Sequence, residues 1–262
     1  MSERLSRTER RALLRDDEPF LSMPINIGGD SRRAEAHVRH LVRLFQSDRS
    51  SSPCSDVMTH LSALAERTVP VATTGAVACR RGCSHCCYQR VTVTAPEAFF
   101  IAAHIRTDKQ KVARVKDTHQ CTNGMSHEER LAAHIPCPML VDSICSIHAI
   151  RPTVCRCAVS LDVEACIAAY VNMSKNEIPM PLDHIQTMNV MRVLLGAAMA
   201  LMRFPMTGYE LDGAVAAALA DGAEKRWLAG EDVFAGVDVD TSAPQTFLSS
   251  IERMAQHVAP SV

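Results

Sequence analysis

The residues with the clearest chemistry in this chain are its cysteines. The sequence has 262 residues and 11 cysteines, and ten of those cysteines lie between Cys79 and Cys166. The N-terminal segment is charged and lacks the apolar run of a secretory signal, so we expect a cytoplasmic protein. In a reducing compartment, a dense cysteine cluster indicates metal binding or thiol chemistry rather than a disulfide framework.

The first cysteine group is the compact string Cys79-x₃-Cys83-x₂-Cys86-Cys87. A Cys-x₂-Cys pair across a tight turn can direct both sulfurs at one tetrahedral ion, as in zinc knuckles and iron–sulfur loops. Gly82 can supply the unusual φ that such a loop needs. Because Cys86 and Cys87 are adjacent, their side chains leave the backbone in different directions. They could therefore serve two metals, or a metal and a bridge in a multinuclear centre.

A second cysteine group follows after a gap in the sequence. Its members are Cys137, Cys145, Cys155, Cys157 and Cys166. If residues 152–170 formed one helix, Cys155 and Cys166 would lie about 16 Å apart, too far for one metal. We therefore predict a helix break near Ala158 to Ser160, with Ser160 as the start of the next helix. Five arginines beside the two groups could offset thiolate charge: Arg80, Arg81, Arg90, Arg151 and Arg156.

The elements around the cysteines are predicted to be helical. Apolar spacing and start signals favour helices over 33–46, 56–67, 94–105, 109–119, 127–135, 185–204, 209–220 and 247–258, with one short strand near 91–93. The predicted fold class is mainly α: a helical protein with a central irregular Cys-rich metal-binding module and little or no sheet. The predicted organisation is an N-terminal helical extension over 1–73, the metal-binding module over 74–172 and a C-terminal helical region over 173–262.

Three linked motifs carry a resemblance to a known family. They are Cys83-x₂-Cys86-Cys87, Cys137-Pro138-Met139-Leu140 with Cys145-Ser146-Ile147, and Arg151-Pro152-Thr153-Val154-Cys155-Arg156. Together they resemble the YkgJ-type cysteine-cluster family (CxxCxxCC), which is described as chelating zinc or iron. The resemblance implies these metal-binding cysteines: Cys79, Cys83, Cys86, Cys87, Cys137, Cys145, Cys155 and Cys166. Cys157 is the reserve candidate for the last place.

The metal and the reaction, if any, stay open at this point. All-thiolate ligation suits zinc, iron and an iron–sulfur cluster. The spacing of Cys79, Cys83 and Cys86 also matches a radical S-adenosylmethionine motif, although His85 stands where that motif has an aromatic residue. Flagellin lysine N-methylases resemble this cysteine cluster too, yet the chain has no glycine-rich nucleotide loop. A thiol redox protein is the remaining alternative, because adjacent thiols near arginines are reactive without a metal.

Composition limits the partners. The net charge is −1 and aromatic residues make up 4% of the chain, so we do not expect nucleic acid as a partner. The longest apolar run, Val193 to Met202, is too short to cross a bilayer and predicts a buried helix. The expected partner is a metal ion, and a protein partner stays unidentified. Outside the motifs, we expect free thiols at Cys54 and Cys121 and solvent-facing side chains at His37 and His40; we expect His85 and His148 to support the metal ligands rather than replace them.

Overall fold

The computed structural model describes residues 21, 25, 31–48, 50–69, 77–174 and 177–259. The predictions for the N-terminal segment and for a module boundary near Thr74 lie outside these residues. The mainly α fold class is confirmed, with eleven α-helices in the described part of the chain. These are α1 Ser31–Phe45, α2 Pro53–Thr68, α3 Ala95–Ile105, α4 Lys109–Thr122, α5 His127–Ala132, α6 Thr153–Cys157, α7 Val163–Tyr170, α8 Leu182–Leu201, α9 Leu211–Ala218, α10 Ala223–Leu228 and α11 Gln245–Val258.

Two small antiparallel sheets accompany the helices. The strands are β1 Thr92–Val93, β2 Leu140–Val141, β3 Ile144–Cys145, β4 Gly208–Glu210 and β5 Val239–Asp240. β4 lies between β1 and β5, with Thr92 opposite Glu210, whereas β2 and β3 form a separate hairpin. Gly208 is required in β4, because a Cβ there would lie 2.6 Å from Cγ2 of Thr92. The first sheet thereby joins the end of the first cysteine group to the C-terminal third of the chain.

The hydrophobic core lies among helices from both ends of the chain. In α1, Val38, Leu41 and Val42 recur at helical spacing and are all fully buried. Helix α1 packs on α2, α8 and α11, and α2 also packs on α3. The predicted buried helix at Val193 to Met202 is part of α8, whose central residues Leu194 and Ala198 are fully buried. Burial of these apolar faces, at roughly 25 cal/mol per Å², holds the helices together.

Helix α3 connects this core to the cysteines. Its predicted start is confirmed: Thr94 precedes Ala95 and Pro96, and both the backbone N–H and the hydroxyl of Thr94 donate to the Glu97 carboxylate, at 2.8 and 2.9 Å. The other carboxylate oxygen of Glu97 accepts the backbone N–H of Thr153 at 2.8 Å. One buried side chain therefore anchors the first turns of both α3 and α6, and α6 carries Cys155.

Two expectations outside the cysteine groups are wrong. A helix was expected from residue 209, but Tyr209 lies in β4 and the helix begins at Leu211, because the backbone of Tyr209 pairs with Val93 and Val239. His37 was expected to face solvent, but it is fully buried with its Nδ1 2.9 Å from Nε2 of His60. None of the helices in the described part of the chain combines the length and the apolar character that crossing a membrane requires.

Candidate metal centre

One cavity, with a volume of about 620 Å³, brings the two cysteine groups together. Seven of the eight predicted ligands line it: Cys79, Cys83, Cys86, Cys87, Cys137, Cys145 and Cys155. All seven side chains are half-buried. Cysteines up to 76 positions apart in the sequence thus line one cavity. Only the tertiary fold can bring them together.

The first cysteine group is shaped by a tight turn. Gly82 adopts φ +89°, which confirms the expected left-handed position, and the N–H of Cys83 donates to the carbonyl of Arg80 at 2.9 Å. A short 3₁₀ helix over His85–Tyr88 then places Cys86 and Cys87 side by side. The hydrogen bond between Cys83 and Arg80 joins backbone atoms, so it holds the turn in place without using the cysteine sulfurs.

The second group is positioned by the hairpin and by α6. Strands β2 and β3 are joined by Asp142 and Ser143, both with positive φ (49° and 59°), which is the backbone geometry of a two-residue hairpin turn. The hairpin carries Cys145. The N–H of Cys137 donates to the carbonyl of Cys87 at 2.7 Å, so the backbone itself joins the two groups.

The predicted helix break is confirmed. Helix α6 ends at Cys157 and α7 begins at Val163, so Cys155 and Cys166 lie on separate helices. The cap differs from the expectation: Asp162, rather than Ser160, accepts the N–H of Glu164 at 2.8 Å. Ser160 is buried instead, and its backbone N–H lies 3.4 Å from Sγ of Cys79.

Cys166 and Cys157 have different surroundings. Cys166 is buried at 8% exposure and does not line the cavity, but α7 packs against the 3₁₀ helix that carries Cys86. Burial raises the pKa of the Cys166 thiol, and the nearby Cys79 and Cys83 raise it further. Burial raises the pKa of the Cys157 thiol, and the charge of Arg192 in α8 lowers it. Cys157 does not line the cavity either.

Several thiols of the cavity hold their protons more tightly than exposed thiols do. Burial raises the pKa of the Cys137 thiol, and burial together with Cys86 and Cys145 raises the pKa of Cys155 to about 12. The pKa of Cys86 is also raised, first by its hydrogen bond with Cys87 and then by burial. These groups are therefore neutral thiols near pH 7 unless a cation displaces their protons.

The five arginines divide between two roles. Arg80, Arg81 and Arg151 line the cavity, and the charge of Arg151 partly offsets the rise in the pKa values of Cys86 and Cys155. The other two do not line it. Arg90 lies 3.9 Å from the carboxylate of Asp238, and Arg156 lies 3.8 Å from that of Glu66 and donates to the carbonyls of Ala149 and Arg151. The expectation that all five offset thiolate charge is therefore too broad.

Two side chains at the site were not singled out from the sequence. Tyr170 of α7 lies near the cluster, since its pKa is raised to about 12 by burial and by Cys86 and Cys166. His184 of α8 lines the cavity although it lies 18 residues beyond the last cysteine. No local motif marks either residue. His148 also lines the cavity, but it is exposed and its Nε2 lies 2.6 Å from the guanidinium of Arg151.

The donor set fits a thiophilic metal in chemistry. Seven cysteines and two histidines line one cavity, which suits zinc or iron better than magnesium or calcium. Within the described residues, no group of three or more His, Cys, Asp or Glu side chains is already arranged to hold a metal ion. Ligation therefore requires the thiols to draw inward from the cavity wall.

The comparison with known families concerns the cysteine-rich part of this helical chain. Residues 78–176 match the family model CxxCxxCC, described as "Putative zinc- or iron-chelating domain". The matched range contains all eight predicted ligands and ends before His184. The resemblance drawn from the cysteine motifs is thereby confirmed. No curated protein and no solved structure matches the chain.

Proposed function

We propose that this protein binds zinc or iron, as separate ions or as an iron–sulfur cluster, through cysteine thiolates. The proposed ligands are Cys79, Cys83, Cys86, Cys87, Cys137, Cys145, Cys155 and Cys166. The observation that carries the proposal is the convergence of seven of these thiols on one cavity from distant parts of the sequence. Cys166 is preferred to Cys157 because of the groups near each thiol. Besides burial, Cys79 and Cys83 raise the pKa of the Cys166 thiol, whereas the charge near the Cys157 thiol is that of Arg192.

The number of thiols supports a centre with more than one metal. A tetrahedral zinc ion uses about four protein ligands, and so does a whole [2Fe–2S] or [4Fe–4S] cluster. Cys86 and Cys87 are adjacent in the sequence and line the same cavity, which suits neighbouring or bridged metals. Arg80, Arg81 and Arg151 supply positive charge that offsets the excess of thiolates. A bound metal would cross-link the first turn, the hairpin and α6.

A thiol redox function is less well supported. Reactive cysteines have thiolates stabilised near neutral pH, so their pKa values are lowered. Here the pKa values of Cys86, Cys137, Cys145 and Cys155 are raised. We further propose a cytoplasmic location, because clustered thiols that serve as metal ligands are typical of reducing compartments. Residues 74–172 are the proposed metal-binding module, between helical regions 1–73 and 173–262.

The test is metal analysis of protein purified anaerobically, with an optical spectrum and an assay for acid-labile sulfide. Zinc in a colourless sample, or iron with sulfide and a broad visible band, would each support the proposal and choose the metal. Cys145→Ser should lower the metal content, whereas Cys121→Ser, an exposed cysteine away from the cavity, should not. Protein that takes up neither zinc(II) nor iron(II) anaerobically would contradict the proposal.

A further inference from the structure

We infer that His184 is an additional metal ligand, which brings its Nδ1 atom from α8 to the cysteine-lined cavity. This inference rests on the proposed function, since it assigns a residue to the same centre. His184 lies outside the range that matches the chelating family. The ligand would therefore come from the C-terminal helical region rather than from the cysteine-rich segment.

The first argument is the hydrogen bonding of the imidazole. Nε2 of His184 lies 2.6 Å from the carbonyl oxygen of Arg156. A carbonyl oxygen only accepts, so Nε2 carries the hydrogen and, in the neutral ring, Nδ1 presents a lone pair. A histidine that donates one ring N–H to a backbone carbonyl and offers the other nitrogen is the usual arrangement of a metal-ligating imidazole.

The second argument is the state of Nδ1. His184 is more than nine-tenths buried, at 8% exposure, and it lines the cavity. Its Nδ1 is buried and has no hydrogen-bond partner among the described residues. Buried polar atoms in proteins nearly always have a partner, and an unmatched acceptor on a residue that lines a cysteine-rich cavity points to a ligand.

The third argument is position. The carbonyl that holds His184 belongs to Arg156, the neighbour of Cys155, and α8 packs directly against α6. The imidazole is thus fastened to the helix that carries a predicted ligand. Helix α8 is itself held by the hydrophobic core, which gives this nitrogen a more rigid base than the cysteine loops have. His148 is less suited, because its Nε2 faces Arg151 and its side chain is exposed.

The experiment uses the full chain loaded anaerobically with cobalt(II), a paramagnetic substitute for zinc. A coordinated histidine gives a strongly shifted N–H proton signal that disappears in D₂O. The Nε2–H of His184 is buried against a carbonyl, so its exchange should be slow enough for detection. The matched variants are His184→Gln, whose amide can keep a hydrogen bond to Arg156, and His148→Gln, which removes the other cavity imidazole.

We expect one such signal in the wild type, its loss in His184→Gln and its persistence in His148→Gln. Metal affinity in His184→Gln should fall by about tenfold or more. A wild-type protein that binds cobalt without any shifted imidazole signal would overturn the inference and leave the proposed function standing. Persistence of the signal in His184→Gln would also overturn it. Failure to bind metal at all would overturn both. If His184→Gln folds poorly, the comparison of the wild type with His148→Gln still tests the inference, because loss of the signal in His148→Gln would assign it to His148 and overturn the proposal.

Discussion

Two regions of this molecule are built on different physical principles. The helical body, formed by α1, α2, α3, α8 and α9, is held together by fully buried apolar side chains such as Leu41, Ile101 and Leu194. The cysteine segments, residues 77–91 and 136–170, consist of turns, a two-residue-turn hairpin and helices of five and eight residues. Their cysteines are mostly half-buried around a cavity.

The difference teaches where each region obtains its stability. The body is stabilised by apolar burial, and it supplies fixed points such as Glu97 and His184 to the segments beside it. The segments bury less apolar surface and place seven thiols around one space. A metal that binds those thiols would replace the missing core as a cross-link.

The largest expected effect is that of metal removal. Chelation should abolish the hydrogen-exchange protection of the cysteine segments and leave α1 and α8 protected, because the segments carry the proposed cysteine ligands whereas α1 and α8 are held by the apolar core. Each ion lost should cost about 4 kcal/mol at metal concentrations near a thousand times its Kd. Exchange measured by mass spectrometry before and after chelation tests this. Unchanged helicity, protection and Tm would show that the segments are stable without the metal.

Loss of one buried side chain, that of Arg130, should lower the stability nearly as much as loss of a metal ion. Arg130 of α5 is 2% exposed, and its guanidinium lies 3.1 Å from the carboxylate of Glu210 and 2.8 Å from that of Asp212. Burial and the charge of Glu210 raise the pKa of Asp212 to about 7. Arg130→Met should lower the free energy of unfolding by about 3 to 5 kcal/mol, because it leaves two carboxylates unpaired.

Urea denaturation measures that change, and the exposed pair of Arg226 and Glu231 provides the control. Its two groups lie 2.6 Å apart at about half exposure, so Arg226→Met should cost less than about 1 kcal/mol. Equal losses in the two variants would mean that burial of the Arg130 pair contributes nothing to its strength.

Within the segments, the variants Cys166→Ser and Cys157→Ser test which of these two cysteines is the eighth metal ligand. Cys166→Ser should weaken metal binding by about tenfold or more, since its thiol lies beside the first cysteine group. Cys157→Ser should retain the wild-type affinity because the pKa of its thiol depends on burial and on Arg192 rather than on the cysteines of the first group. Competition with a chromophoric chelator measures both affinities. A larger loss in Cys157→Ser would reverse the assignment of the eighth ligand.

A pH dependence of stability is expected from a histidine of the helical body. Burial, followed by the charges of His40, His37 and Arg67, lowers the pKa of His60 to about 3. The unfolded chain binds this proton near pH 6.5, so it holds more protons than the folded chain between about pH 6.5 and 3. Stability should therefore fall as the pH falls through this range.

His60→Gln should reduce that slope, whereas His257→Gln, on an exposed position of α11, should not. Urea midpoints at several pH values above 4 measure the slope. A slope in His60→Gln equal to that of the wild type would show that another group causes it.

Local chemistry explains which features could be predicted. Thr94, Pro96 and Glu97 predict a helix start because capping depends on neighbours within one turn. The break between Cys155 and Cys166 follows from the rise of a helix and the reach of one metal. Tyr209 was misassigned because its partners in the sheet, Val93 and Val239, are distant in sequence. His37 was misplaced for the same reason, since its partner His60 belongs to another helix.

The sequence by itself determined the helical class, the elements around the cysteines and the kind of chemistry, because propensity, spacing and thiol character are local properties. Only the tertiary structure decided that seven thiols share one cavity, that Arg90 and Arg156 do not line it and that His184 does. Those outcomes depend on how distant helices pack. Packing is set by the sum of many weak apolar contacts, and a short sequence motif cannot predict that sum.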